Sequence, residues 1–297
     1  MKHNTFITTI ASFGLIITAA IWGFSFVVVK DSLSYVGPVY MIALRYTLAA
    51  AVMSLIFIKR WKSLDKKVIK HGFISGLFLF TAYLTQTIGC GYTTAGKNAF
   101  LTTIYVILIP FICWLLYKRR PKWYVFVAAL MSVTGIGLLA LGTGDSNGIN
   151  IGDALTLICG VFFALHIIFS ERYAALGDDP LLLTCLQFIL CALFGWIFAP
   201  FFDGKLDVNV LSNGRVIVSI FYLGIFSTMV GFSLQNIGLK YVPSSIASIL
   251  LSFESVFGVL FSAIILHELL TARMVLGCIL IFGALLLSEL LKGKDSN

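Results

Sequence analysis

"QTIGCGYT", residues 86–93, returns 149 residues later as "QNIGLKYV", residues 235–242, with Gln, Ile, Gly and Tyr kept. A second pair, "VGPVYMIAL" (36–44) and "DDPLLLTCL" (178–186), is anchored on Pro38 and Pro180 at a spacing of 142. The chain therefore reads as one unit followed by a related unit, and the segments flanking these pairs say what kind of unit it is.

Those flanks are apolar. Of 297 residues, 59% are hydrophobic and 11% are charged, and the mean hydropathy is +1.00. Soluble domains carry roughly 25% charged residues, so this chain cannot cover a water-facing surface and reads as an all-α integral membrane protein. A helix needs about 20 apolar residues to cross a bilayer. Ten runs qualify: 8–29, 38–58, 72–92, 98–117, 123–142, 153–170, 181–202, 216–239, 245–266 and 273–291. None shows the strict alternation of a barrel strand, and helices satisfy their own backbone groups in lipid. The N-terminal run lacks the short apolar region and small-residue cleavage site of a removable leader.

The net charge of +8 is gathered in short clusters between the runs, a pattern of membrane orientation rather than of a groove for nucleic acid. With the N-terminus inside, the inner segments hold Lys2, Lys59, Arg60, Lys62, Lys66, Lys67, Lys70, Lys118, Arg119, Arg120, Lys122, Arg172, Lys240, Lys292 and Lys294. The outer segments hold Lys30, Lys97, Lys205, Arg215 and Arg273. Fifteen against five puts both termini in the cytoplasm. Five helices precede the repeat and five is odd, so the second unit sits inverted in the bilayer. Two inverted five-helix repeats, 8–142 and 150–291, with a site between them near the midplane, are the architecture of secondary transporters.

Several motifs resemble the EamA-type ten-helix transporters of the drug/metabolite transporter superfamily. "AAIWGFSFVVVK" (19–30) resembles the family's first helix, and "PVYMIALRY" (38–46), with Arg45, its second. "GYTTAGKNAFLTTIYVILIP" (91–110) and "YVPSSIASILLSFESVFGVLFSAIILHELLT" (241–271) resemble its paired fourth and ninth helices. The chain departs from that pattern at Glu254-Ser255, where the family often has Glu-Pro, and at "YKRRP" (117–121), where the fourth helix often ends in Glu; Glu268 keeps the second-half copy. The resemblance covers nearly the whole chain and implies transport of a small metabolite, amino acid or drug.

Ionisable groups inside a span mark functional or paired structural sites. Glu254 stands at mid-helix, and Ala247, Leu251 and Gly258 share its face. Ser245, Ser248, Ser252, Ser255 and Ser262 form a separate stripe of small residues suited to helix packing. The repeat matches Glu254 to Tyr105, whose face carries Asn98 and Thr102. Arg45 is the basic residue well within a span. In the functional reading it attracts a substrate carboxylate while Glu254 exchanges a proton; in the structural reading the two pair, or bond to backbone. Trp22, Phe26, Tyr46, Phe163 and His166 suit an aromatic lining, with His166 either a proton relay or a satisfied structural imidazole. Gln86 and Gln235 suit hydrogen bonds between helices.

No P-loop is present, so ATP does not drive the chain directly. The acid pair Asp178-Asp179 beside Pro180 reads as a turn, no HExxH exists, and no cofactor or metal is implied. The six cysteines lie in or beside apolar runs without a CxxC and read as small hydrophobes. Glycines in "VTGIGLLALG" (133–142) and "GCILIFGALLL" (277–287) read as packing sites, with a homodimer as one use for them. The expected protein is a multi-pass secondary transporter of the cytoplasmic membrane, not an enzyme. Its partners are a small organic solute (amino acid-like, aromatic or amphipathic, drugs included), lipid and protons. A membrane enzyme or a receptor or channel is the alternative class.

The charge bias has a direct test. Reporter fusions at Asn297 and in the loop near Asn147 should report opposite sides of the membrane, with Asn297 inside; matching reports contradict the inverted ten-helix order.

Overall fold

A computed structural model of the chain describes residues 5–118, 120–140, 150–242 and 244–295. These residues form helices joined by short turns, with no strand among them. In order they are α1 (Thr5–Ser32), α2 (Pro38–Ile56), α3 (Lys66–Tyr92), α4 (Ala95–Thr102), α5 (Ile104–Tyr117), α6 (Trp123–Ala140), α7 (Ile151–Ala175) and α8 (Pro180–Phe202). Then follow α9 (Gly214–Phe221), a π-helical segment (Tyr222–Val230), α10 (Gly231–Tyr241), α11 (Ser244–Ile265) and α12 (Ala272–Asp295). Among the described residues, seven stretches are long and apolar enough to cross a bilayer: Phe6–Ser32, Pro38–Ile56, Lys66–Tyr92, Ala95–Tyr117, Ile151–Ala175, Pro180–Phe202 and Gly214–Leu239. Three further apolar stretches, Trp123–Leu138, Leu250–Ile265 and Ala272–Ser288, lie within α6, α11 and α12. The ten apolar runs thus fall on those seven stretches and on α6, α11 and α12, helices of 18, 22 and 24 residues.

Helix ends follow side-chain chemistry. Asp65 caps α3 by accepting from Val68 N, and Asn150 and Asp153 form a reciprocal capping box on α7. Asp179 caps α8, with Pro180 in the first turn. Two caps arrive from distant segments. The Asp203 carboxylate accepts from Val39 N and Tyr40 N at the start of α2, both at 2.8 Å. Burial pushes the Asp203 carboxyl above its ordinary range, against the lowering effect of those two donors. Glu268 accepts from Ala95 N (2.7 Å) and Gly96 N (3.0 Å), so it closes the N-terminus of α4. Lys30 does the opposite at the end of α3, donating to the carbonyls of Cys90, Gly91 and Thr93.

Two spans are interrupted. The expected helix 98–117 begins earlier, at Ala95, because Thr94 caps it, and it breaks at Thr103. There the hydroxyls of Thr102 and Thr103 bond back to the carbonyls of Asn98 and Phe100, which competes with the helical ladder. The span from Gly214 passes through the π segment, where the Thr228 hydroxyl bonds five residues back to Leu223 O.

Lateral packing is specific. α1 lies on α11 and on the π segment and α10; α2 on α8; α3 on α7 and α8; α4 and α5 on α7; α6 on α12. Small residues set the closest approaches, as they do between helices in lipid. A Cβ on Gly23 would meet Gly258 N at 2.8 Å, and one on Gly135 would meet Gly277 O at 2.7 Å. The glycine patches of α6 and α12 therefore meet each other within the chain; residues 141 and 142 of the first patch lie outside the described residues. No disulfide joins the cysteines of the described residues.

Two charge assignments change. Lys97, read as an outer-loop residue, lies buried in the first turn of α4 and pairs with Asp153 at 3.0 Å, each side chain 2% exposed. Asp153 also accepts from Thr93 Oγ1 at 2.6 Å. The helix starts three residues before the expected run 98–117, which moves Lys97 from the loop into the first turn. Asp178 does more than end a turn: it is buried against His71 Nδ1 (2.6 Å) and Lys67 (3.7 Å), and Asp179 pairs with Arg60.

Breaking a buried ion pair from one side costs about 3–5 kcal/mol, because the surviving charge stays desolvated. Lys97→Met should therefore lower the thermal unfolding midpoint in detergent clearly, and adding Asp153→Asn should raise it again. A Lys97→Met protein with the wild-type midpoint contradicts the buried pair.

Candidate functional site

A cavity of about 80 Å³ lies between α1, α3, the α4–α5 span, α7, α10 and α11. Most of these helices present about one turn to it. α1 supplies Trp22, Ser25 and Phe26; α7 supplies Phe163, His166 and Ile167; α3 supplies Tyr83 and Gln86; α10 supplies Phe232 and Gln235. Spacings of three and four residues place each set on one helix face. Thr102 and Tyr105 enter from either side of the break between α4 and α5, and Glu254 enters from α11.

The lining recurs within the chain. The three positions of α1 reappear in α7, each 141 residues later, and those of α3 reappear in α10 149 residues later. Tyr105 and Glu254 are related by the same 149.

Glu254 is 6% exposed. Among the described residues its carboxylate has no hydrogen-bond or ion-pair partner. Ala247, Leu251 and Gly258, which share its helix face, are not among the residues that line the cavity. Ala247 and Leu251 pack with Ala11, Leu15 and Val242, and a Cβ on Gly258 would meet Ala99 Cβ at 2.4 Å. Among the described residues of α11, the one that lines the cavity is Glu254. The serine stripe does pack: Ser252, Ser255 and Ser262 are buried, and Ser262 lies against Gly96. Of Ser245 and Ser248, the side chains lie outside the described residues.

Arg45 sits in an adjoining space of about 10 Å³, room for about one water, which it shares with Asn98, Thr87 and Cys90. Ser25, Phe26 and Gln86 line both spaces. The guanidinium, 2% exposed, donates to Thr228 Oγ1 (2.9 and 3.2 Å) and Ser227 Oγ (3.2 Å) of the π segment. It also lies 4.9 Å from the centre of the Tyr83 ring and 5.5 Å from that of Tyr46, within cation–π range. Arg45 and Glu254 are not within ion-pair distance, and Arg45 bonds hydroxyls rather than backbone. Tyr46 is wholly buried in the core beside Tyr83 and Phe188 and does not reach the cavity.

The remaining sequence-selected residues are held in place by neighbours. Trp22 donates its indole N–H to Ser227 O at 2.8 Å and packs on Phe232. His166 Nε2 faces Gln187 Oε1 at 3.1 Å; since Gln187 Nε2 already donates to Ser75 and Ser170, the imidazole proton lies on Nε2. Gln86 donates to Thr102 Oγ1 at 3.1 Å, and Asn98 donates to Gln86 O and Thr156 Oγ1 while its own Oδ1 is buried without a partner. Tyr105 packs near Phe163. Glu254, Tyr105, Trp22, Thr102 and His166 thus share one cavity, and Arg45 and Asn98 share its smaller neighbour. Among the described residues no cluster of His, Cys, Asp or Glu is arranged to hold a metal. Sequence reading passed over Tyr83, Phe232, Ser25 and Ile167. Tyr83 and Phe232 stand three residues before Gln86 and Gln235, so extending the repeat by one helical turn would have found both.

Known proteins bear on this arrangement. The family described as "EamA-like transporter family" matches residues 9–141 and again 150–290. An uncharacterized transporter of Archaeoglobus fulgidus is 35% identical over 94% of this chain and 86% of its own length. A biotin transporter of Escherichia coli K12 is 24% identical over 86% of this chain and 84% of its own. A solved crystal structure of a protein shares the fold with a TM-score of 0.69, at 18% identity, over 97% of this chain and 99% of that one.

Proposed function

The chain belongs to the EamA-like transporter family, and from that premise we propose that it is a secondary transporter that binds a small organic solute around Glu254 and carries it across the cytoplasmic membrane by alternating access. The observation that carries this reading is the recurrence of the cavity lining at spacings of 141 and 149. A site built twice over from two related halves is what inverted repeats produce near the midplane. The pairing of helices supports the same reading. Exchange of the halves turns the contact of α1 with α11 into that of α7 with α4 and α5, and leaves α2 with α8 and α6 with α12 unchanged. The halves are 8–142 and 150–291, each with five crossings, and both termini are cytoplasmic.

In this mechanism the cavity is the solute site. Aromatic walls from Trp22, Tyr83, Phe163 and Phe232 favour an amphipathic or aromatic solute, and a relative named as a biotin transporter supports a small organic cargo. Tyr105, Thr102 and His166 supply polar contacts. Arg45 and Asn98 hold the wall behind: Arg45 joins α2 to the π segment, and Asn98 joins α4 to α3 and α7. Rocking of the halves exposes the cavity to one side at a time, and Glu254 exchanges a proton as the exposure changes, coupling solute to the proton gradient.

Proteoliposomes test this. The wild-type protein should accumulate at least one labelled solute, from a panel of small acids, amines and zwitterions, when a pH gradient is imposed. Glu254→Gln, with a thermal midpoint within a few degrees of wild type, should lose the gradient-driven accumulation. Unchanged accumulation in the variant removes Glu254 from coupling. No solute crossing faster than through protein-free liposomes contradicts transport itself.

A further inference from the structure

Resting on the transporter reading above, we propose that the ligand of the central cavity is a small organic cation: a protonated amine or quaternary ammonium on an aromatic or apolar body. Charge is the first argument. Glu254 brings a carboxylate to a space whose lining, among the described residues, holds no lysine and no arginine. The other titratable groups facing that space are His166, with Nε2 engaged by Gln187, and the phenols of Tyr83 and Tyr105. Arg45 stands in the neighbouring space, its guanidinium engaged by Ser227, Thr228 and the Tyr83 ring. A buried carboxylate without a partner leaves its desolvation uncompensated, and a ligand cation supplies the missing partner.

Shape and surface agree with charge. Trp22 packs on Phe232 at 5.4 Å between centroids, and Tyr83 and Tyr105 flank Phe163 at 5.2 and 6.2 Å. Ring faces attract cations, more strongly when water is excluded. Gln86, having donated its amide to Thr102, retains a carbonyl oxygen that accepts from an ammonium N–H. About 80 Å³ open to the centres of water molecules is room for roughly five to eight of them, the scale of a single-ring amine. A carboxylate ligand would face Glu254 with like charge and would find Arg45 only behind the shared wall of Ser25, Phe26 and Gln86.

Three ligands with one body and three charges test the proposal: phenethylammonium, phenylacetate and 2-phenylethanol, each titrated calorimetrically into the purified full-length protein in detergent. Phenethylammonium should bind at least about ten-fold more tightly than the other two, as a desolvated cation–carboxylate contact implies. Glu254→Gln should weaken the cation about ten-fold or more and change the alcohol little. Glu254→Asp, which keeps the charge, should keep the preference for the cation, and thermal midpoints show that each variant is folded. Equal or tighter binding of phenylacetate, an unchanged cation affinity in Glu254→Gln, or no binding of phenethylammonium at millimolar concentration overturns the proposal. Binding that depends on Glu254 without transport in liposomes contradicts the transporter reading and leaves this assignment standing. Transport of phenylacetate with no Glu254-dependent binding of the amine does the reverse.

Discussion

A charge removed from water must be compensated by something fixed in the protein, and this constraint organises the interior of the bundle. Lys97 is met by Asp153, and Asp153 by Thr93 as well. At its margins, half-buried Lys30 is met by three carbonyls at the end of α3, and half-buried Glu268 and Asp203 by backbone N–H groups at the starts of α4 and α2. Arg45 is met by two hydroxyls and two ring faces. Each of these contacts joins segments distant in sequence, so the compensation of charge is also what ties the helices together. Glu254 stands apart among the described residues: what it faces is a cavity.

The cavity owes its shape to backbone contacts on either side of it. Gly23 and Gly258 bring α1 and α11 together beyond Glu254, and Ala11, Leu15, Ala247 and Leu251 do so before it. The two helices are therefore fastened at both ends of a short gap, and the carboxylate occupies the gap. The π segment adds a second constraint. Its wider turn presents Ser227 O to Trp22 and the Ser227 and Thr228 hydroxyls to Arg45, so one irregular stretch orients an aromatic wall of the cavity and holds the nearest arginine away from it. Irregular turns of this kind gather at functional positions in helices.

Much of this was legible in the sequence, because membrane helices announce themselves by length and apolarity and because a repeat leaves identities behind. Gln86 and Gln235, which the sequence suggests as hydrogen bonds between helices, line the cavity, as do the repeat partners Tyr105 and Glu254. What escaped depends on small displacements along a helix or on tertiary partners. Lys97 looked like a loop charge because a shift of one turn separates an exposed lysine from a buried one, and only the fold brings Asp153 to it. The face shared by Ala247, Leu251, Glu254 and Gly258 looked uniform on a wheel, yet three of the four meet neighbouring helices. Arg45 and Glu254 invited pairing by opposite sign, and the hydroxyls of the π segment took the arginine instead. Those hydroxyls carry no sequence signal, since Ser and Thr are common in apolar helices for local bonding alone.

The most direct test of the account is a crystal structure of the full chain with 4-bromophenethylammonium, in which anomalous scattering locates the bromine. One bromine site is expected in the central cavity, against the aromatic wall, with the ammonium nitrogen within hydrogen-bond distance of a Glu254 carboxylate oxygen. Bromine bound elsewhere, or bound in the cavity with the nitrogen turned away from Glu254, would contradict it.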